Sequence, residues 1–178
     1  ATEAQIALDA IVQPEPGHGP DQILQWASDA TASSSWHFNY SASNAIGAPN
    51  DSHANSYQAS WVPQWNGWLN VAYDTPVYAT GLTVYESLMN GSVFQIDFID
   101  SYNITQEIRT VSDDTPHVDY YDASWDNSTF VLNFPATSYL VGSVKIHVDS
   151  NYATPPAQNV PAIDAVELHA SGITVGND

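Results

Sequence analysis

Short runs in which apolar and polar residues alternate fill the chain from residue 69 onward, and this period of two limits the fold most. Successive side chains of a β-strand point to opposite faces, so alternation predicts strands with one face in a core. Turn signals such as Asn90-Gly91 separate the runs. The alternating apolar sets are Leu69/Val71/Tyr73, Leu82/Val84, Phe94/Ile96/Phe98, Ile104/Ile108, Phe130/Leu132/Phe134, Val144/Ile146/Val148 and Val166/Leu168. Because no long helical pattern lies between them, they predict an all-β sandwich or barrel.

The amino-terminal residues form a separate unit in the sequence. Apolar and polar residues alternate from Thr2 to Val12, which favours a strand over a short helix. The segment Pro14–Pro20, rich in proline and glycine, then breaks regular structure. We therefore expect residues 1–20 to form an extension strand with its linker, residues 21–172 to form the sandwich, and residues 173–178 to form a tail.

The charge balance limits the partners of this chain. It has 20 acidic residues against two basic ones, for a net charge of −18. Nucleic-acid binding needs clusters of Lys and Arg that release counterions, and anionic membranes repel such a surface unless calcium bridges the two. No apolar run approaches the length of a membrane span. The composition therefore excludes nucleic acid and direct membrane insertion, and it suits either neutralisation by divalent cations or life at high salt.

Two features favour an extracellular location. The chain begins at Ala1 and not at Met, as it would after removal of a leader peptide. Five Asn-x-Ser/Thr glycosylation sequons occur in the sequence. The acceptor residues are Asn39, Asn50, Asn90, Asn103 and Asn127. We expect a secreted or cell-surface glycoprotein, and the lack of Cys excludes disulfides within it.

Four segments, in this order and at these separations, resemble one known family. They are Ala42–Asn50, Ser60–Pro63, Val84–Glu86 and Ile163–Leu168. The chain from about residue 26 to residue 170 is similar to the galactose-binding-like β-sandwiches, the relatives of discoidin and of the coagulation-factor C domains. The resemblance implies a jelly-roll β-sandwich, which the amino-terminal extension strand precedes here.

The same resemblance implies a structural calcium that ties an early loop to the last strand. The matching positions are Asn50, Asp51, Ser60 through its carbonyl group, and Glu167. Carboxylates and carbonyl groups are the oxygen ligands that calcium takes. The family's usual Asp is Asn50 here, with the carboxylate one place later at Asp51. Asn50 and Asp51 would also fit a turn cap, and a glycan on Asn50 would crowd a metal.

Members of this family mostly recognise glycans or other surfaces, and several aromatic residues in predicted loops suit that role. A flat ring stacks on the apolar face of a pyranose. The candidates are Trp65, Trp36, Tyr57 and Trp125. Trp65 stands beside Asn66-Gly67 and is the best exposed candidate, whereas Trp61 matches a core position of the family. Arg109, the only arginine, would hydrogen-bond sugar hydroxyls, or else form a surface ion pair with Glu107.

Two functional hypotheses follow, and neither is an enzyme. The sequence has no Gly-x-Ser-x-Gly elbow, no His-Glu-x-x-His and no phosphate-binding loop. The first hypothesis is a non-catalytic extracellular module whose partner is a glycan or a glycoconjugate surface. The second is a structural subunit of an extracellular filament or matrix. In that homopolymer, Ile6, Leu8 and Val12 of the amino-terminal strand would complete the sheet edge of a neighbouring copy.

Overall fold

A computed structural model shows two antiparallel sheets packed face to face. It describes residues 22–50, 59–88, 92–110, 117–118, 128–149 and 161–171. The strands are β1 Gln22–Trp26, β2 Asp29–Ala32, β3 Gly67–Val77, β4 Ala79–Leu88, β5 Val93–Asp100, β6 Thr105–Thr110, β7 His117–Val118, β8 Ser128–Asn133, β9 Val141–Val148 and β10 Ala162–Ser171. Two short 3-10 helices, Phe38–Tyr40 and Ala42–Ala45, lie between β2 and β3. The predicted all-β sandwich is confirmed.

Each described sheet has five strands, and most strands that follow one another in sequence lie in different sheets. Sheet A has the order β1-β10-β4-β8-β7, and sheet B has the order β2-β3-β9-β5-β6. The described strands lie between residues 22 and 171. The expected extension strand, with Ile6, Leu8 and Val12, lies outside the described residues, as does the tail at 173–178. The division into strand, sandwich and tail therefore stays a prediction. No helix in the described ranges is long and apolar enough to cross a membrane.

The inner faces of the two sheets form the core, and the alternating sets fill most of it. Fully buried members include Leu69, Val71, Leu82, Val84, Phe130, Val144, Ile146, Val148, Val166 and Leu168. A Val, Leu, Ile or Phe side chain contributes about 1.5–3 kcal/mol when it is buried completely. The period of two in the sequence therefore identified the residues that hold the sheets together.

Three residues of the alternating sets lie outside the core, against the sequence prediction. The register shifts between Val93 and Gln95, and this bulge places Val93 in the core while Phe94 stays half-buried. Ile104 and Ile108 are 57% and 61% exposed. Arg109, the next residue, packs on the core rings Phe98 and Phe134, so Ile108 points to the outer face of sheet B.

The strand register shows which connections share an end of the sandwich. Gly67, where β3 begins, and Val93, where β5 begins, both pair with Val148 at the end of β9. The connection from β2 to β3, residues 33–66, therefore starts and finishes at this end, which we call the loop end. Gln22 and Ser171 pair with each other at the opposite end.

Candidate functional site

The connection between β2 and β3 is anchored to the sandwich by Trp61. Its backbone N–H donates to the Ile163 carbonyl at 2.8 Å, and the Ile163 N–H donates back at 3.0 Å. The indole N–H of Trp61 donates to the Ser34 carbonyl at 2.9 Å, and the side chain is completely buried. The expected core position of Trp61 is confirmed, and it fixes one half of the connection against β10.

Serine residues join the two halves of this connection. Trp36 N–H donates to the Val62 carbonyl at 2.8 Å. The Ser34 hydroxyl accepts from Gln64 N–H at 3.3 Å, and the Ser33 hydroxyl accepts from Trp68 N–H at 3.0 Å. A serine side chain is short enough to bond to nearby backbone in this way. The Ser-rich stretch after β2 therefore holds the start of β3 in place.

Three large aromatic side chains of this connection face solvent, and we call them the aromatic loop cluster. Trp36 is 54% exposed, Phe38 is 79% exposed and Trp65 is 76% exposed. Phe38 stands in the first 3-10 helix, where the His37 side chain accepts from Asn39 N–H and the His37 and Phe38 ring centroids are 4.1 Å apart. Exposed rings of this size on an ordered backbone mark a surface that can contact a ligand.

The cluster agrees with part of the sequence reading. Exposure of Trp65 and Trp36 is confirmed, whereas their role in binding stays a prediction. Tyr57 and Trp125 lie outside the described residues. The sequence analysis did not predict Phe38 as a ligand-contacting residue. Its position two residues after Trp36, in the same predicted loop, was the signal that could have identified it.

Arg109 packs on the core and lies apart from the aromatic loop cluster. Its guanidinium carbon is 4.1 Å from the Phe134 ring centroid and 5.6 Å from that of Phe98. Its Nε lies 2.8 Å from Glu107 Oε1, which is the ion pair that the sequence left as the alternative. The Tyr139 hydroxyl donates to Glu107 Oε2 at 3.1 Å. Burial of Tyr139 and, to a smaller extent, this hydrogen bond raise the pKa of Tyr139 to about 12. These contacts hold the Arg109 side chain against Glu107 and the core rings, on the edge strand β6.

The contacts of the described residues expected to bind calcium, Asn50, Ser60 and Glu167, are each made with other residues. The Asn50 N–H donates to Asp164 Oδ2 at 3.0 Å, across 114 residues of sequence. The Ser60 carbonyl accepts from the Asn44 amide at 3.1 Å, and Ser60 is buried. Asp51 lies outside the described residues. The carboxylate of β10 that reaches the early loop is therefore that of Asp164, which the sequence reading did not select.

Glu167 lies elsewhere on β10. Its register partners are Trp26 and Thr83, and its Oε2 is 3.3 Å from His169 Nε2. The register of β10 shifts between Ile163 and Ala165, and this bulge sets Asp164 apart from the regular alternation of the strand. Within the described ranges no group of three or more His, Cys, Asp or Glu side chains lies close enough to hold a metal ion.

The sequon residues that the structure describes are exposed. They are Asn39, Asn50 and Asn103. Asn90 and Asn127 lie outside the described residues. Exposure is what a glycan acceptor needs, and the attachment of glycans stays a prediction.

Solved structures that superpose on this chain include a lectin domain, a carbohydrate-binding module and an F5/8 type C domain. The lectin domain of Lectinolysin, solved with the Lewis B antigen, superposes with a TM-score of 0.57 at 14% identity, over 82% of this chain and 94% of that one. The family 32 carbohydrate-binding module of C. perfringens NanJ, solved with galactose, gives 0.53 at 13% identity, over 83% and 99%. An F5/8 type C domain from Bacteroides fragilis gives 0.51 at 18% identity, over 84% and 99%.

These likenesses establish the fold. The chain has the galactose-binding-like β-sandwich fold of these domains, the fold that its sequence segments predicted. No protein-family model matches the chain, and no curated protein matches it. At these identities the structures carry no residue-level correspondence, so the function is argued from this chain's own surface.

Proposed function

We propose that this chain is a non-catalytic, extracellular glycan-recognition module whose ligand stacks on the aromatic loop cluster. The observation that carries the proposal is Trp65, which is 76% exposed on a backbone held at both sides. An indole face offers a flat apolar surface, and a pyranose presents a matching face of C–H groups. Trp36 and Phe38 add further exposed ring surface on the same connection.

The backbone contacts favour binding because the platform is formed before the ligand arrives. A loop that must become ordered on binding loses conformational entropy, and that loss reduces affinity. Here the completely buried Trp61 and the hydrogen bonds of Ser33 and Ser34 fix the segments that carry Trp36 and Trp65. The exposed polar residues Gln64 and Asn66, on either side of Trp65, supply hydrogen-bonding groups for sugar hydroxyls.

Structures of similar fold support a saccharide as the ligand class. The Lectinolysin lectin domain was solved with Lewis B, and a chitosan-binding module from Paenibacillus sp. IK-5, with a TM-score of 0.53, was solved with chitotriose. Both are modules that recognise carbohydrates. We propose the same class of partner here and an extracellular site of action, where such glycans occur.

A glycan array of the intact chain and two variants tests this proposal. Trp65→Ala should weaken binding to whichever saccharide the array identifies by about 1–3 kcal/mol, the value of an aromatic-sized apolar contact. Tyr78→Ala is the matched control, since Tyr78 is 48% exposed but lies in the turn between β3 and β4, at the opposite end of the sandwich. A blank array, or equal losses from both variants, would refute the role of the cluster.

We also propose that calcium, supplied from solution, is held between the early loop and Asp164. Asp164 is 4% exposed, and its carboxylate already meets the backbone of Asn50. The Asn50 group that meets Asp164 is an N–H donor, so carbonyl groups of the loop would have to supply the other oxygens of an ion that takes six to eight. Glu167, which lies beside His169, is replaced in this role.

A further inference from the structure

A shallow groove of about 240 Å³ crosses the outer face of sheet B, the face turned away from the core. Its polar and aromatic lining residues are Thr31, Trp68, Asn70, Asn103, Ser143 and Lys145. They come from three adjacent strands and from the turn between β5 and β6. The aromatic loop cluster does not contribute to this lining, so the groove is a separate surface.

The charge inside the groove is opposite to that of the whole chain. Lys145 is the only lysine, and no Asp or Glu lines the groove although the chain has 20 of them. The Nζ of Lys145 lies 4.9 Å from the Trp68 ring centroid. Among the residues that the structure describes, Lys145 forms no ion pair. In a chain of net charge −18, a cation that lies beside a ring and outside ion-pair distance of the described carboxylates is available to an anion from outside.

The carboxylate paired with Lys145 in the sheet register is already engaged by other side chains. Asp97 lies opposite Lys145 on the neighbouring strand. Its Oδ1 accepts from the Gln95 amide at 2.7 Å, and its Oδ2 lies 2.9 Å from His147 Nε2. Gln95 and His147 therefore contact the two oxygens of Asp97, whereas the Lys145 ammonium contacts the Trp68 ring.

Asn70 supplies an acceptor for the same ligand. Asn70 and Trp68 are two residues apart on β3 and so share its outer face. The Asn70 Oδ1 is buried and has no hydrogen-bond partner within the described part of the chain. Buried acceptors in folded proteins are normally paired, so this unpaired oxygen favours a donor from a ligand, which it reaches once the Asn70 side chain rotates toward the groove.

The turn that carries Asn103 gives the groove a fixed rim. Asn103 has φ of 64°, in the left-handed region that asparagine tolerates better than most residues. The Asp100 carboxylate fixes the turn, since its Oδ1 accepts from Tyr102 N–H at 2.8 Å and from Ile104 N–H at 3.0 Å. The backbone of Asn103 is thus fixed at the groove rim, and its side-chain amide adds a hydrogen-bonding group in the chain without a glycan on that sequon.

We propose that this groove binds an acidic sugar unit of a glycan. The Lys145 ammonium would donate to the carboxylate of that unit, and the Asn70 Oδ1 would accept from one of its hydroxyl groups. A charge-assisted hydrogen bond of this kind is shorter and stronger than a neutral one. The net charge of −18 repels anions at long range, but the screening length at physiological salt is about 8 Å, so the local cation decides. The glycan class rests on the proposed function, whereas the acidic unit rests on Lys145 alone.

Isotope-labelled lysine tests the proposal directly, because the chain has one lysine and so gives one side-chain signal. The probes are trigalacturonate and its fully methyl-esterified form, which keeps the rings and removes the charge. Labelled arginine is the internal control, since Arg109 is the only arginine and packs on Phe134 away from the groove. We expect the acid trimer to shift the Lys145 signal with saturation, the ester to leave it unchanged, and Arg109 to stay still.

Calorimetry with variants separates this site from the aromatic loop cluster. Lys145→Gln should weaken trigalacturonate binding about tenfold, the loss of one charge-assisted bond at a half-exposed site. Trp65→Ala should leave that affinity unchanged. An unmoved Lys145 signal, an ester that binds as well as the acid, or equal affinity of Lys145→Gln and the intact chain would overturn the groove proposal. A blank glycan array with a positive acid titration would refute the loop cluster and leave the groove standing.

Discussion

Replacing Gly67 by Ala tests how the connection from β2 is held to the start of β3. An added Cβ would lie 2.5 Å from Ser33 Oγ, inside any real contact distance, and 3.4 Å from Pro63 Cβ. The same Ser33 oxygen accepts the hydrogen bond from Trp68 N–H at 3.0 Å. The hydroxyl can rotate away from the new methyl group, and the hydrogen bond is then lost.

The size of the effect follows from that one bond. A hydrogen bond contributes about 0.5–1.5 kcal/mol net, so Ser33→Ala should lower the free energy of unfolding by about 1 kcal/mol. Gly67→Ala should lose the same bond, partly offset by about 0.4–1 kcal/mol from the less flexible unfolded chain. In the Ser33→Ala background the oxygen is absent, so Gly67→Ala should no longer destabilise the protein.

Urea unfolding of the intact chain, the two single variants and the double variant measures this coupling. We expect a coupling energy of about 1 kcal/mol between the two positions. Ser35→Ala is the control, since the Ser35 side chain makes no hydrogen bond within the described residues, and it should not couple to Gly67. If the costs of Gly67→Ala and Ser33→Ala simply add, the added methyl group does not meet Ser33 and the reasoning is wrong.

Two further predictions concern the metal and the amino-terminal strand. Chelator should lower the melting temperature, because calcium binds only the folded state, and Asp164→Asn should abolish that effect while Glu167→Gln keeps it; an unchanged melting temperature in the intact chain would contradict the calcium proposal. If the amino-terminal strand is donated to a neighbour, the stability of the intact chain should rise with protein concentration and deletion of residues 1–12 should remove that dependence. Light scattering that shows one monomer at every concentration, with Ile6 in its own core, would exclude the filament.

The sequence predicted the parts of the fold that depend on local alternation. Leu69, Val71 and Tyr73 lie in the core because side chains two apart on a strand share a face. The predicted core position of Phe94 was wrong because a bulge moves a side chain to the other face of the strand. The periodicity of a single sequence does not show where a bulge lies. Ile108 was not predicted because the inner face of β6 is taken by the polar Arg109, which packs on Phe98 and Phe134, so the apolar residue of the pair is the exposed one.

The sites were predictable only where one segment carries them. Trp65 was found because Asn66-Gly67 marks a turn beside it, and Phe38 was within reach of the same argument. The contact between Asn50 and Asp164 joins residues 114 apart, and the bulge in β10 selects Asp164 over Glu167. The residues of the groove on sheet B come from separate strands, and only the pairing register brings them together. No single segment of the sequence therefore predicts the groove.

The pairing of β1 with β10 also determines how the sandwich responds to mechanical force. Gln22 lies opposite Ser171, and the five register pairs run from there to Trp26 and Glu167. Force applied to the chain at residues 22 and 171 acts first on the pair Gln22–Ser171, and each following pair bears the force only after the one before it has separated. Each hydrogen bond contributes only about 1 kcal/mol net, so bonds that break one at a time resist little force. Under tension applied through the chain at β1 and β10, the sandwich would therefore open first by loss of β1 from the sheet.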